Sequence, residues 1–316
     1  MADRSNAAID IVDTTTDTVV GEITGFVGFT GNNDTSGPDG VLVIDDPHQL
    51  WAGDGGSTVK VFSLDDNGLP TSAFPIATIS TGGLNRADEL AFDSRDKLIL
   101  IANDAEDTPF VTFISVTDLQ VVGKIDFPNA TDGIEQTVYD PKNHKFYVAI
   151  PASTENPGGE IVVIEPNAMR VTKVHPVDEC SPHGLALGPD QNLLVGCNGG
   201  DVPAGTQLRS IIMDARNGDI VATITQVGGS DEVWFNPGDN HYYLAASSWT
   251  KDGLKGGPAA PVLGIIDAGT NTFIQNVPTG PNSHSVAAES VNNKIYVPLR
   301  SSGSETGGIG VYGFQP

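Results

Sequence analysis

Short apolar runs rich in β-branched and aromatic residues, each bounded by Gly, Pro, Asn or Asp, recur along the whole chain. That pattern predicts strands rather than helices. Residues 86–127 show one unit in full: ELAFD (89–93), LILIAND (98–104), FVTFISVTD (110–118) and QVVGKIDF (120–127). The same four pieces return as TVYD (137–140), FYVAIPA (146–152), EIVVIEP (160–166) and RVTKVHPV (170–177), then as GLALGPD (184–190), LLVGCNG (193–199), RSIIMDA (209–215) and IVATITQV (220–227). EVWFNP (232–237), YYLAASS (242–248), VLGIIDA (262–268) and FIQNVPTG (273–280) form another unit. VLVID (41–45), LWAGDGG (50–56), VKVFSLD (59–65) and PIATIST (75–81) form the first. The last unit has only three pieces, SVAAES (285–290), IYVPLRS (295–301) and GIGVYGF (308–314).

Four strands per unit, repeated every 45–50 residues or so, is the pattern of a β-propeller, whose blades cannot bury their faces alone. Six innermost strands predict an all-β, six-bladed propeller with four strands per blade, in a single domain over residues 1–316. The N-terminal stretch IDIVDTTTDTVVGEI (9–23) reads like strands three and four of another unit. TVVGEI is therefore expected to close the ring as the missing outer strand of the last blade. Ile9-Asp10-Ile11-Val12 then competes with GIGVYGF for the third place, and a fifth strand on that blade is one resolution.

The phrases IDIVDTTTDTVVGEI, NKIYVPL (293–299) and SPHGLALGPDQNLLV (181–195) resemble YVTN-type β-propeller repeats, relatives of the NHL and SMP-30/lactonase-like propellers. The resemblance covers essentially the whole chain. It implies the fold and leaves function open, because such propellers include enzymes, binding proteins and surface proteins.

Composition narrows the partners. With 16 Lys+Arg against 40 Asp+Glu, the 316-residue chain carries a formal charge of -24. A nucleic-acid partner is not expected, since phosphate binding needs a basic surface. A membrane span is not expected either: the longest aliphatic run, Leu98 to Ala102, is far below the ~20 residues a spanning helix needs. A small-molecule substrate and a monomer are the default expectations. Met1-Ala2-Asp3-Arg4 leads straight into strand-like sequence with no signal peptide, so either the protein is intracellular or the chain begins at a mature terminus. Asn33-Asp34-Thr35 and Asn129-Ala130-Thr131 match the glycosylation sequon, a pattern short enough to arise by chance.

Candidate chemistry comes from aligning the units. SPHGLALGPDQNLLVGCN (181–198) aligns without a gap on GPDGVLVIDDPHQLWAGD (37–54), which sets His183 on Asp39. Around the ring the same position holds Asp39, Asp88, Glu135, His183, Asp231 and His284, at spacings of 49, 47, 48, 48 and 53 residues. All six are carboxylate or imidazole, although Asp, Glu and His make up only 46 of 316 residues. Four carboxylates converging on one axis repel each other, and a central cation is the simplest neutraliser. His183, Asp231, His284 and Glu135 are the expected metal ligands. A solvated channel mouth holding only water is the competing expectation.

The resemblance to SMP-30/lactonase-like propellers implies a divalent ion on the axis used for hydrolysis or lyase chemistry. The two ring histidines depart from that pattern. Imidazole ligands favour Zn²⁺, Mn²⁺, Fe²⁺ or Ni²⁺ over Ca²⁺. Asp88 is the first choice of general base and Asp39 the second, because a carboxylate among carboxylates has a raised pKa. Arg300 and Trp249 are candidate substrate contacts, Trp249 in the stretch SSWTKDGLKGGPAAP (247–261), which reads either as a lid or as an ordinary exposed loop. Glu89 and Glu232 stand beside the ring, in supporting rather than ligating places. His48, His144 and His241 are expected in solvated turns at the opposite face. Cys180 and Cys197 fit no metal motif and form either a disulfide at the mouth or two thiols. GIGVYG (308–313) spells GxGxxG inside a strand, with no helix after it, and is no dinucleotide site. Three functions follow as expectations: a metal-dependent hydrolase or lyase, a non-catalytic binding or scaffold propeller, and an Fe²⁺ oxygenase built on a two-His, one-carboxylate set.

Overall fold

A computed structural model describes residues 1–200, 202–301 and 307–313. Its secondary structure is strand and turn, with two single-turn 3-10 segments, Asn33–Thr35 and Pro189–Gln191. The strands form seven antiparallel sheets. The first is three-stranded: β1 (Ala2–Asp3), β2 (Ala8–Asp13) and β3 (Thr18–Thr24). The second holds β4 (Val41–Ile44), β5 (Gln49–Asp54), β6 (Thr58–Ser63) and β7 (Ala77–Ser80). The third holds β8 (Leu90–Asp93), β9 (Leu98–Asn103), β10 (Phe110–Ser115) and β11 (Gln120–Asp126). The fourth holds β12 (Thr137–Asp140), β13 (Lys145–Ile150), β14 (Glu160–Glu165) and β15 (Arg170–Pro176). The fifth holds β16 (Pro182–Leu187), β17 (Asn192–Cys197), β18 (Ser210–Asp214) and β19 (Ile220–Ile224). The sixth holds β20 (Val233–Asn236), β21 (His241–Ala246), β22 (Val262–Asp267) and β23 (Thr272–Pro278). The seventh is three-stranded: β24 (Ala287–Glu289), β25 (Lys294–Leu299) and β26 (Gly308–Gly313), with Phe314 of the expected strand outside the described residues.

These are seven blades of a β-propeller, not the six expected. The N-terminal segment does not complete the last blade. Instead β2 and β3 pair with each other, Ile9 opposite Ile23, and β1 joins them as the short inner strand of a blade of their own. The reason for the miscount is physical: β1 has only two residues, Ala2 and Asp3, and no apolar alternation marks it.

The chain divides into two compact units, Met1–Phe146 with Val163–Thr172, and Tyr147–Val162 with Lys173–Pro316. The division runs through β13–β15. The first unit thus contains β1–β12 and the second β16–β26.

Turn chemistry sets the hairpins. An Asp closing one strand accepts the N–H groups two or three residues on, a motif that mimics a backbone turn. Asp93 Oδ1 takes Arg95 N at 2.9 Å and Asp96 N at 3.1 Å; Asp267 Oδ1 takes Gly269 N at 2.9 Å and Thr270 N at 2.8 Å. Between blades the apolar faces interlock. In the first unit Ile9, Ile23 and Phe26 pack with Leu50, Ala52 and Phe62, and Ile44, Trp51 and Val61 pack with Ile99, Ile101 and Ile114. In the second unit Leu194 and Ile212 pack with Tyr242 and Leu244, and Tyr243 and Ile265 with Ile295 and Val297.

One irregularity repeats. In four blades the outermost strand carries one residue more than its partner, which leaves Val20, Val122, Val221 and Ile274 unpaired opposite Ile11–Val12, Phe113–Ile114, Ile212–Met213 and Ile265–Ile266. Each is a β-bulge, which bends the strand and increases its twist.

Because the first blade seals the cluster around Leu50 and Phe62, its loss is expected to be costly. Ile23→Ala should lower unfolding free energy by about 2–5 kcal/mol, measured by urea denaturation. A chain beginning at residue 30 should melt lower still. Unchanged melting of that shortened chain would show that the first blade is dispensable.

Candidate functional site

The aligned ring position keeps its place in the fold. Asp39, Asp88, Glu135 and Asp231 each stand two residues before an innermost strand, His284 three before β24, and His183 is the second residue of β16. Three are anchored alike, by the backbone N–H donating to the second strand of the same blade. Asp39 N reaches Gly53 O at 3.0 Å, Asp88 N reaches Ala102 O at 2.8 Å and Asp231 N reaches Ala245 O at 3.3 Å. Glycine makes the approach of the next blade feasible. A Cβ on Gly40 would lie 2.4 Å from the Asp88 carbonyl oxygen, and one on Gly184 would lie 2.4 Å from that of Asp231. That explains why Asp39 and His183 are each followed by glycine.

Two ring acids of the first unit, Asp39 and Asp88, are neutralised by the protein itself. Arg86, two residues before Asp88, lays its guanidinium among three carboxylates. Its Nε and Nη2 lie 3.0 and 2.8 Å from Asp88 Oδ2, its Nη2 is 3.1 Å from Asp104 Oδ2, and its Nε is 2.5 Å from Asp39 Oδ2. Arg4, from the first blade, forms a second ion pair with Asp39. Asp34 stands at the rim, 3.9 Å from Arg86 Nη1. The sequence reading missed Arg4, Arg86 and Asp104. Arg86 was legible in principle, as a basic residue two places before a ring acid. Arg4 was hidden by the short β1.

Protonation in this network is uneven. Burial raises Asp88, but the Arg86 fork outweighs it and holds Asp88 below the usual carboxylate range. That is the reverse of the direction expected for a general base among carboxylates. Asp39 does move that way, pushed up to about 7 by burial and then by the neighbouring Asp88 charge, against the pull of Arg86 and Arg4. Asp104 is pushed up to about 8 by burial and then by Asp88. Its Oδ1 is buried without a hydrogen-bond partner. Two guanidinium groups face three buried carboxylates, so one retained proton makes the cluster neutral.

In the second unit the acid stands near imidazoles. A ligand atom of His183 and a carboxylate oxygen of Asp231 lie within 4.8 Å, as members of a group able to hold a metal ion. His183 Nδ1 is 3.0 Å from the Ser181 carbonyl, which can only accept, so this nitrogen is the donor. His284 Nδ1 lies 3.7 Å from Asp231 Oδ2. His284 is not among the residues grouped with His183 and Asp231 as possible ligands. Glu232 supports this segment as expected of a neighbour. It accepts from Ser285 Oγ at 2.8 Å and gives its N–H to His284 O at 3.0 Å, and Ser285 Oγ is 3.3 Å from His284 Nδ1. Asp231 and His284 are about one-third and one-half exposed, which leaves the site open to solvent. Glu135 belongs to the first unit.

The remaining candidates fall elsewhere. Trp249 packs against the core cluster around Tyr242, and its loop is tied down by a bridge between Thr250 and Ala259 and another between Gln207 and Leu254. Arg300 follows β25 and is exposed. His241, expected in a solvated turn, is buried beside Asp239, 3.4 Å away, and edge-on to Tyr243. Cys180 and Cys197 form a disulfide.

No protein-family model matches the chain, and no curated protein matches it. The functional reading therefore rests on the residues themselves.

The Asp104 proton gives a pH dependence with a definite sign. The folded state keeps a proton that the unfolded chain loses near the ordinary carboxylate value, so this contribution is full in acid and fades as pH rises from about 4 to about 8. Asp104→Asn mimics the protonated acid. It should leave stability nearly unchanged at pH 5 and raise the melting temperature at pH 8.5 by roughly 2–4 °C, read by thermal denaturation across pH. A fall at pH 8.5 would mean that Asp104 is ionised and needed there.

Proposed function

We propose that this propeller is a metal-dependent enzyme acting on a small molecule as a hydrolase or lyase, with His183 and Asp231 as protein ligands of a divalent ion. One observation carries the reading: His183 turns Nδ1 to a backbone carbonyl and brings a ligand atom within 4.8 Å of a carboxylate oxygen of Asp231, which is about one-third exposed. Metal-binding histidines commonly give their second ring nitrogen to such an acceptor. A nitrogen and a carboxylate oxygen suit Zn²⁺, Mn²⁺, Fe²⁺ or Ni²⁺ better than Ca²⁺. The repeat resemblance to YVTN-type and SMP-30/lactonase-like propellers belongs to the same reading.

The bound ion would supply Lewis acidity toward a substrate or water oxygen. Asp231 would orient and neutralise, and His284, beside it, is placed to take or return a proton at Nδ1. Arg300 remains the candidate partner for a substrate anion. Asp88 has no place in this proton traffic, because its carboxylate is committed to Arg86. An oxygenase reading finds less support, since His284 is not grouped with His183 and Asp231 as a possible ligand.

A second reading has its own support. In the first unit the ring acids Asp39 and Asp88 are satisfied by Arg86 and Arg4, as a purely structural propeller would arrange them. Metal analysis of untagged protein separates the two. The metal reading predicts a bound divalent ion and a lower melting temperature after chelation, because an ion at 100 times its Kd stabilises by about 2.7 kcal/mol. His183→Ala and Asp231→Asn should abolish the chelator effect, whereas His284→Ala should keep it. Wild-type protein without metal, and indifferent to added Zn²⁺ or Mn²⁺, would favour the structural reading.

A further inference from the structure

We propose that the Cys180–Cys197 disulfide positions His183 as a metal ligand, by fixing the carbonyl that sets its tautomer; this rests on the metal reading of that site. The sheet alone does not fix His183. β16 and β17 pair at Pro182 opposite Cys197 and resume only at Leu185 opposite Val195, so His183 and Gly184 fall in the break. The imidazole is held from behind, by the Ser181 carbonyl.

That carbonyl is at the centre of the cross-link. Ser181 follows Cys180, and Asn198 follows Cys197; Asn198 N donates to Ser181 O at 3.0 Å, the same oxygen that takes His183 Nδ1 at 3.0 Å. Gly199 N donates to Cys180 O at 3.1 Å. Both cysteines and Ser181 are buried. The segment is also strained: Glu179 and Ser181, neither of them glycine, sit in the left-handed region at φ of 47° and 50°. Such conformations persist only where the surroundings over-determine them. Here the surroundings are backbone bonds from Cys180 N and Ser181 N to Gly158 O, at 3.2 and 2.9 Å, and the covalent link from Cys180 to the end of β17. Cutting the link leaves only backbone hydrogen bonds to join the two segments around the carbonyl. The Ser181 oxygen then loses its fixed place between Asn198 N and His183 Nδ1, and the imidazole is no longer held in one orientation.

The test compares wild-type protein with two variants, Cys180→Ala/Cys197→Ala and Cys180→Val/Cys197→Ala. Neither leaves a thiol to bind metal, and the second refills the core volume, so at least one should fold, as checked by circular dichroism. Imidazole ¹⁵N shifts of metal-free protein report the His183 tautomer, and Co²⁺ titration reports affinity. In the wild type His183 should be a single Nδ1–H form. Both folded variants should show mixed tautomers and a 10- to 100-fold loss in Co²⁺ affinity, the usual scale for a lost supporting contact. A folded variant with the wild-type tautomer and wild-type Co²⁺ affinity overturns the inference. Wild-type protein that binds no Co²⁺ overturns the metal reading instead, and the tautomer comparison then decides whether the disulfide sets the imidazole.

Discussion

Carboxylates brought together by a repeating fold must be compensated, and much of this structure follows from that electrostatic constraint. The repeat delivers an acid or an imidazole to the same place at the entry of six innermost strands. Asp39, Asp88 and Asp231 are pinned by their own backbone, and Asp88 and Asp231 are approached by a glycine of the preceding blade. The side chains cannot retreat without breaking that packing. In the first unit compensation is internal, through Arg86, Arg4 and a retained proton. In the second unit two histidines replace acids at the ring position, and both lie near the remaining carboxylate, Asp231. The two solutions have different chemical uses. A guanidinium fork saturates its carboxylates and cannot ligate a metal ion, whereas an imidazole is a side chain of the kind that can.

The support of the second site is mostly backbone. The Ser181 carbonyl, the Asn198 amide and the Glu232 amide take part in the orienting, together with the side chains of Ser285 and Glu232. Substitutions that leave these side chains intact but shift the strand entries should therefore disturb the site as much as loss of a ligand. Gly184 is the clearest case, since any Cβ there meets the backbone of Asp231 and Val233.

The strands and the ring position were legible in the sequence because both are periodic. Runs such as LILIAND and FVTFISVTD are long enough, and bounded sharply enough, to mark β9 and β10 without ambiguity. The blade count failed where the signal is not periodic: Ala2–Asp3 is too short and too polar to announce an inner strand. The charge network failed for a different reason. Arg4 and Arg86 are ordinary surface-type residues by sequence, and only their distance from Asp39, 35 and 47 residues away, turned into contact by the fold, gives them their role. The disulfide was left open because strand register, which brings Pro182 opposite Cys197, suggests proximity without deciding the bond.

The repeated bulges have a consequence for life in crowded solution. An outermost strand offers unpaired N–H and C=O groups to any other extended chain, and valine-rich strands such as TVVGEIT and QVVGKID would otherwise be ready templates. One extra residue at Val20, Val122 and Val221 breaks the even spacing of those groups and turns the strand out of plane. A second copy cannot continue the ladder past that point. The blades can thus carry half-exposed valines on their outer rims, 52%, 44% and 50% exposed at these three positions, without the rims zipping together into fibrils.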